Sequence, residues 1–201
     1  MAPAAKKNLF VTGDPGAGKS TLVREAVRAL GVRPGGYLTR AFPRRGRKIR
    51  CEIVSLTPGA GKRAGVLASA DRTGVLRLNP ADLESVGAAA LERAAGRSPL
   101  VVMDEIGHLE GASARFRKAV AACLQSATPV LGAIKSSPGP FVDRIKSRED
   151  VLVLELSPDR YSAVKREVIR LLGALLGTAA VTSKIAAASE ARNGRNGLDG
   201  R

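Results

Sequence analysis

Apolar residues along this chain fall into short continuous runs separated by longer stretches of helical spacing. Asn8 to Thr12 (NLFVT) reads as a buried strand running into a glycine-rich turn. Lys19 to Leu30 then sets Leu22, Val23, Ala26, Val27 and Leu30 at helical spacing before Gly31 stops the helix. Gly36 to Arg40 and Ile49 to Leu56 read as two strands around an arginine-rich turn at Pro43 to Arg47, so a small β-hairpin is expected after the first helix. Thr57 to Ser69 is rich in glycine and reads as a loop. Val75 to Leu78 is read as a further strand, and Asn79-Pro80 as the cap and first position of an amphipathic helix reaching about Ala95.

Pro99 to Met103 is a buried strand, and beyond it helix and strand alternate. Helices are predicted around Ser113 to Gln125, Pro140 to Lys146 and Pro158 to Leu176, and strands at Val130 to Ile134 and Val151 to Leu156. This alternation predicts an α/β fold of three layers, with a mostly parallel central sheet covered by helices on both faces. After Gly177 the composition shifts to Ala, Ser, Gly and Asn and no apolar period persists. One domain over 1–177 and a disordered tail over 178–201 are therefore expected.

Composition narrows the function classes. The hydrophobic residues are almost wholly aliphatic and Trp is absent, which argues against an aromatic platform for stacking bases. Cys51 and Cys123 belong to no C-x-x-C pair, so neither a disulfide framework nor a zinc site is suggested. A secretory signal and a membrane span are both absent from the pattern, and a cytoplasmic location is expected. The formal net charge is +15, and Arg40, Arg44, Arg45, Arg47, Lys48 and Arg50 crowd into one segment. Three readings of that segment stand side by side: a hairpin facing a polyphosphate, a nucleic-acid contact, or a solvated basic surface.

Two motifs carry the chemistry. Gly13, Asp14, Pro15, Gly16, Ala17, Gly18, Lys19, Ser20 and Thr21 satisfy G-x-x-x-x-G-K-[ST] between a predicted strand and a predicted helix. In that setting the glycines bring backbone N–H groups against phosphate oxygens at the positive end of a helix. Lys19 is expected to reach the β and γ phosphates, and the Ser20 hydroxyl to ligate Mg2+. The second motif is the aliphatic run Leu100 to Met103 ending in Asp104 and Glu105. Asp104 is expected to hold the metal and Glu105 to orient and deprotonate an attacking water. His108, the only histidine, and Glu110 follow closely; His108 is read as an exposed loop residue.

On these residues the chain resembles the THEP-type nucleoside triphosphatases, a P-loop NTPase family. The resemblance runs over roughly residues 8 to 160. It is carried by the loop, by Gly36-Tyr37-Leu38-Thr39-Arg40, by Asp104-Glu105-Ile106-Gly107 with Glu110, and by Phe116, Pro140-Phe141, Ile145-Lys146-Ser147-Arg148 and Asp150. Ala41, Leu109 and the Ser157 to Tyr161 segment depart from the family pattern. The resemblance implies Mg2+-dependent hydrolysis of the terminal phosphate of ATP, GTP and other nucleoside triphosphates, with loose base selectivity. An arginine is needed to meet charge in the transition state; Arg40 is the first choice and Arg148 the second. Two alternatives share the loop: a nucleotide or small-molecule kinase, and a nucleotide-dependent switch that binds nucleic acid.

Overall fold

Eight strands form one continuous sheet in the order β5-β4-β3-β2-β6-β7-β1-β8. The computed structural model describes residues 6–44, 47–107 and 113–177. Arg45, His108, Leu109, Glu110 and the expected tail 178–201 lie outside them.

The parallel half consists of β2 (Gly35–Arg44), β6 (Val101–Ile106), β7 (Val130–Ile134), β1 (Asn8–Thr12) and β8 (Val151–Glu155). Helices α1 (Lys19–Leu30) and α6 (Tyr161–Leu175) cover one face; α4 (Ala114–Gln125) and α5 (Pro140–Lys146) belong to the other. Side chains alternate across the sheet as strand geometry requires. Leu9 and Val11 pack with Leu22, Val23, Val168 and Leu172, whereas Phe10 packs on the opposite side with Tyr37, Met103 and Phe116.

Beyond β2 the sheet turns antiparallel through β3 (Arg47–Ser55), β4 (Ala64–Ala70) and β5 (Leu76–Leu78). The hairpin is therefore larger than the sequence pattern indicates, and the glycine-rich stretch expected as a loop supplies β4. Its residues Ala64, Gly65, Ala68 and Ser69 have poor strand propensity, and the ladder to β3 is what makes them a strand. The next helix begins as foreseen, with the Asn79 side chain accepting from the Asp82 N–H and Pro80 at the first position. It runs as α2 (Pro80–Asp82), a π-helical turn (Leu83–Ala88) and α3 (Ala89–Ala94). Among the described residues no helix is long and apolar enough to cross a membrane.

Gly132 shows how tightly the sheet centre is packed. It sits between Phe10 on β1 and Met103 on β6, and a Cβ there would meet Phe10 Cε1 at 2.4 Å and the Met103 carbonyl oxygen at 2.9 Å. The Phe10 ring occupies the space a side chain would need. Gly132→Ala should cost about 2 kcal/mol by overpacking, lowering Tm by roughly 4–8 °C. Thermal unfolding followed by circular dichroism checks this; an unchanged Tm would mean the ring can move aside.

Candidate functional site

All five parallel strands point the same way, so the segments that follow them gather at one edge of the sheet. The loop after β1 begins at Gly13, whose φ is 141°, and a Cβ there would lie 2.3 Å from the Leu156 carbonyl oxygen. Only glycine fits this approach of loop to β8, which is fixed further by the Leu156 N–H donating to Thr12 O at 2.8 Å. The turn closes with Ala17 N–H donating to Asp14 O, and Gly18 caps α1 at φ 93°. Lys19 Nζ donates to Gly13 O at 2.8 Å and to Asp14 O at 3.0 Å. An ammonium has three donors, so one remains for an incoming phosphate oxygen.

Helix α1 packs over β7 and β6 rather than over β1 alone. Ser20 is thereby carried across the intervening strand to Asp104, and its hydroxyl donates to Asp104 Oδ1 at 2.7 Å. Asp104 is fully buried, and its second oxygen, Oδ2, meets no hydrogen-bond donor among the described residues. Burial lifts the Asp104 carboxyl to about 6; the Ser20 hydrogen bond opposes this, Glu105 adds to it, and Arg24 and Lys19 oppose it. A carboxylate oxygen without a partner beside a hydroxyl is a donor set suited to a hard cation such as Mg2+, which takes few protein ligands and keeps the rest for water and phosphate.

Glu105 lies on the same strand, not after it, because β6 runs on to Ile106 with a register shift between Asp104 and Ile106. The peptide joining the two acids is cis. Glu105 faces a cleft of about 540 Å³ together with Gly13, Pro15, Gly16, Gly18, Lys19, Ser20 and Thr21. Asp14 and Ala17 complete the loop without lining the cleft. The cleft also brings in residues that motif reading missed: Leu76 of β5, and Lys135, Ser136 and Ser137. Lys135 Nζ stands 3.7 Å from Glu105 Oε1, and its carbonyl accepts from Lys146 Nζ at 2.9 Å. No local signal marks this trio: they directly follow β7, and they reach this edge because β7 pairs between β1 and β6.

The two arginines separate. Arg40 lies on β2 just past Leu38, which is level with Asp104, and lines a smaller pocket that shares Ser20 and Glu105 with the cleft. Arg148 is a correction: it precedes β8, at the opposite end of the strands, and is locked to Asp150 by two 2.8 Å bonds. Four or five residues of strand, about 16 Å, separate that end from the loop.

A family profile described as NTPase matches residues 8–169. The chain belongs to the NTPase family. This NTPase is 35% identical over 165 residues to the nucleoside-triphosphatase THEP1 of Thermotoga maritima, a match covering 82% of this chain and 94% of that one. It is 37% identical over 152 residues to the THEP1 of Methanosarcina barkeri, covering 73% and 87%. Its fold resembles the crystal structure of THEP1 from Aquifex aeolicus at TM-score 0.68 and 27% identity, over 82% of this chain and 98% of that one. The solution structure of a human cancer-related nucleoside triphosphatase matches equally, at TM-score 0.68 and 27% identity over 84% and 98%. Membership makes the chain a hydrolase of nucleoside triphosphates.

The buried carboxylate gives a test without turnover. A folded pKa raised from 3.8 to about 6 means the ionised form is disfavoured in the fold, so the native NTPase loses stability as pH rises through that interval. Asp104→Asn, which carries no charge, should therefore gain on the native chain between pH 4 and 6 and hold that advantage above it, by on the order of 3 kcal/mol at most. Melting curves in chelator-treated, nucleotide-free buffer read the difference; parallel curves at all pH values would contradict the burial argument.

Proposed function

We propose that this NTPase cleaves the terminal phosphoanhydride of ATP, GTP and other nucleoside triphosphates, with Mg2+ as cofactor, giving the nucleoside diphosphate and phosphate. The observation that carries the proposal is the convergence of the loop and Glu105 on one cleft, with buried Asp104 held against Ser20 beside it. The loop amides and the free donor of Lys19 bind the β and γ phosphates, aided by the positive end of α1. Ser20 and Asp104 would hold the Mg2+, which when bound neutralises charge on the phosphate oxygens.

Glu105 orients a water and accepts its proton as the water oxygen bonds to the γ phosphorus and the bridging bond to the β-phosphate breaks. Lys135, paired with Glu105, fixes the direction of that carboxylate. Arg40 meets the charge that develops on the transferring group. Among the described residues no aromatic lines the cleft, and Leu76 and Pro15 offer its apolar contact, so the base is held loosely and several triphosphates serve. Both thiols are free and buried, which suits the reducing cytoplasm.

A second reading rests on the hairpin, where Phe42 and Ile49 stand exposed near Arg40 and Arg50. Basic and apolar side chains side by side suit single-stranded nucleic acid. It predicts RNA binding that weakens steeply with salt and is lost in Phe42→Ala.

Phosphate release from a panel of triphosphates, with and without Mg2+, tests the hydrolytic proposal. Lys19→Ala and Glu105→Gln should each lower release by about 10²-fold or more, with Glu105→Gln still binding nucleotide. Arg40→Ala should lower it by about 10³-fold. Release that ignores Mg2+, or that survives Glu105→Gln, would overturn these assignments.

A further inference from the structure

Beside the cleft opens a second pocket of about 390 Å³, lined by Ser20, Arg24, Thr39, Arg40, Ala41 and Glu105. Ser20 and Glu105 face both spaces, so under the hydrolytic reading the two side chains that flank the reacting phosphate form the wall between them. Two arginines reach this pocket from unrelated elements. Arg24 comes from α1, four residues beyond Ser20 and so on the same helix face. Arg40 comes from β2, two residues past the position level with Asp104.

Both guanidinium groups are exposed, and among the described residues neither forms an ion pair. Among the described residues Arg24 donates to the neighbouring Thr21 hydroxyl, at 3.5 Å, the outer limit of a hydrogen bond, and its charge is also felt by Asp104. The acid opposite Arg40 across the hairpin is Glu52, which is engaged by Arg50 at 2.5 Å. The one carboxylate among the described residues of the pocket wall, Glu105, is paired with Lys135. The walls thus carry a positive excess, two planar forks of N–H donors, and the hydroxyls of Ser20 and Thr39. Such a set recognises a compact anion with several oxygens.

The geometry points to an oxyanion subsite: Arg24 and Arg40 take a phosphate group in this pocket while the nucleoside diphosphate occupies the loop. This rests on the hydrolytic reading for its place beside the γ position. The phosphate comes either from the nucleotide just cleaved or from the ester group of a second substrate, and the same donors serve both.

The test needs no turnover. Orthophosphate is titrated into the full chain loaded with ADP and Mg2+, with binding read by calorimetry or 31P NMR, for the native protein and for Arg24→Gln. The native protein should bind phosphate, and Arg24→Gln should weaken that binding by about tenfold, the loss expected for a charge-assisted contact. ADP affinity should stay within about twofold, because Arg24 lies outside the cleft lining. A parallel titration with glycerol phosphate separates the sources: preference for orthophosphate marks the cleaved group, and equal or tighter ester binding marks a second substrate. The subsite is refuted if the loaded protein binds neither anion, if Arg24→Gln leaves the affinity unchanged, or if phosphate simply displaces ADP. Should the loaded protein bind phosphate yet release none from triphosphates, the hydrolytic reading fails while the subsite stands.

Discussion

A carboxylate shut away from water, with a single hydroxyl to answer it, is the constraint around which this molecule is arranged. Removing an ionised group from solvent costs several kcal/mol even after the surroundings relax. Asp104 recovers part of that through Ser20, and among the described residues its Oδ2 has no donor. Such an arrangement persists only where the scaffold over-determines it. Here β6, β7 and β1 are paired in register, and α1 is laid across them by the capping turn at Gly18. Because β7 separates the strand bearing the loop from the strand bearing the acid, the gap to be spanned is about 10 Å. A helix that starts over one strand and crosses toward the other closes it, and Ser20 is the second residue of that helix.

Strand direction then sorts the remaining polar groups into two populations. The loop after β1, Lys135 to Ser137 after β7 and the Leu156 carbonyl under Gly13 each follow a parallel strand and stand at the reactive edge. What precedes the strands stands at the other edge and holds them in place. Asp150 there accepts from Arg148 and Asn8 and lies 3.8 Å from Lys7, tying the starts of β1 and β8 together. The arrangement explains why a basic residue inside a family-like segment, Arg148, has a structural partner and no access to the cleft. Arg40, by contrast, gains its place from β2, which runs past the level of Asp104 before turning back.

The reactive half of the molecule was legible from residue type and spacing because each requirement there is local. Strand, glycine turn and helix succeed one another within Asn8 to Leu30, and the two acids end an unbroken aliphatic run. Lys135 was not legible in that way: its relevance depends on β7 lying between β1 and β6, and strand order is a property of pairing. Strand β4 was hidden for a different reason. Ala64, Gly65 and Ser69 have little intrinsic preference for extended structure, so the strand exists through its ladders to β3 and β5, which no local window contains. The π-helical turn in the helix after Asn79 likewise leaves no trace in an apolar period that suits an ordinary helix.

That hidden antiparallel half bears on selectivity. Six ladder steps separate β5 from β1, about 29 Å were the sheet flat, yet Leu76 of β5 lines the same cleft as the loop that follows β1. The sheet must therefore curl so that its antiparallel flank rises over the reactive edge, as strand twist accumulated over several pairs allows. Among the described residues, what the flank delivers to the cleft is one aliphatic side chain, with no aromatic face or amide beside it. Affinity in such a cleft comes from the phosphate end, where the glycine loop, Lys19 and the head of α1 are concentrated. Discrimination between bases needs buried polar groups that go unsatisfied with the wrong partner, and the buried polar side chains of this site, Lys19 and Asp104, belong to the loop and its neighbouring acid instead. The loose base selectivity proposed for this NTPase would follow from where the donors are placed rather than from a lack of specificity in the site as a whole.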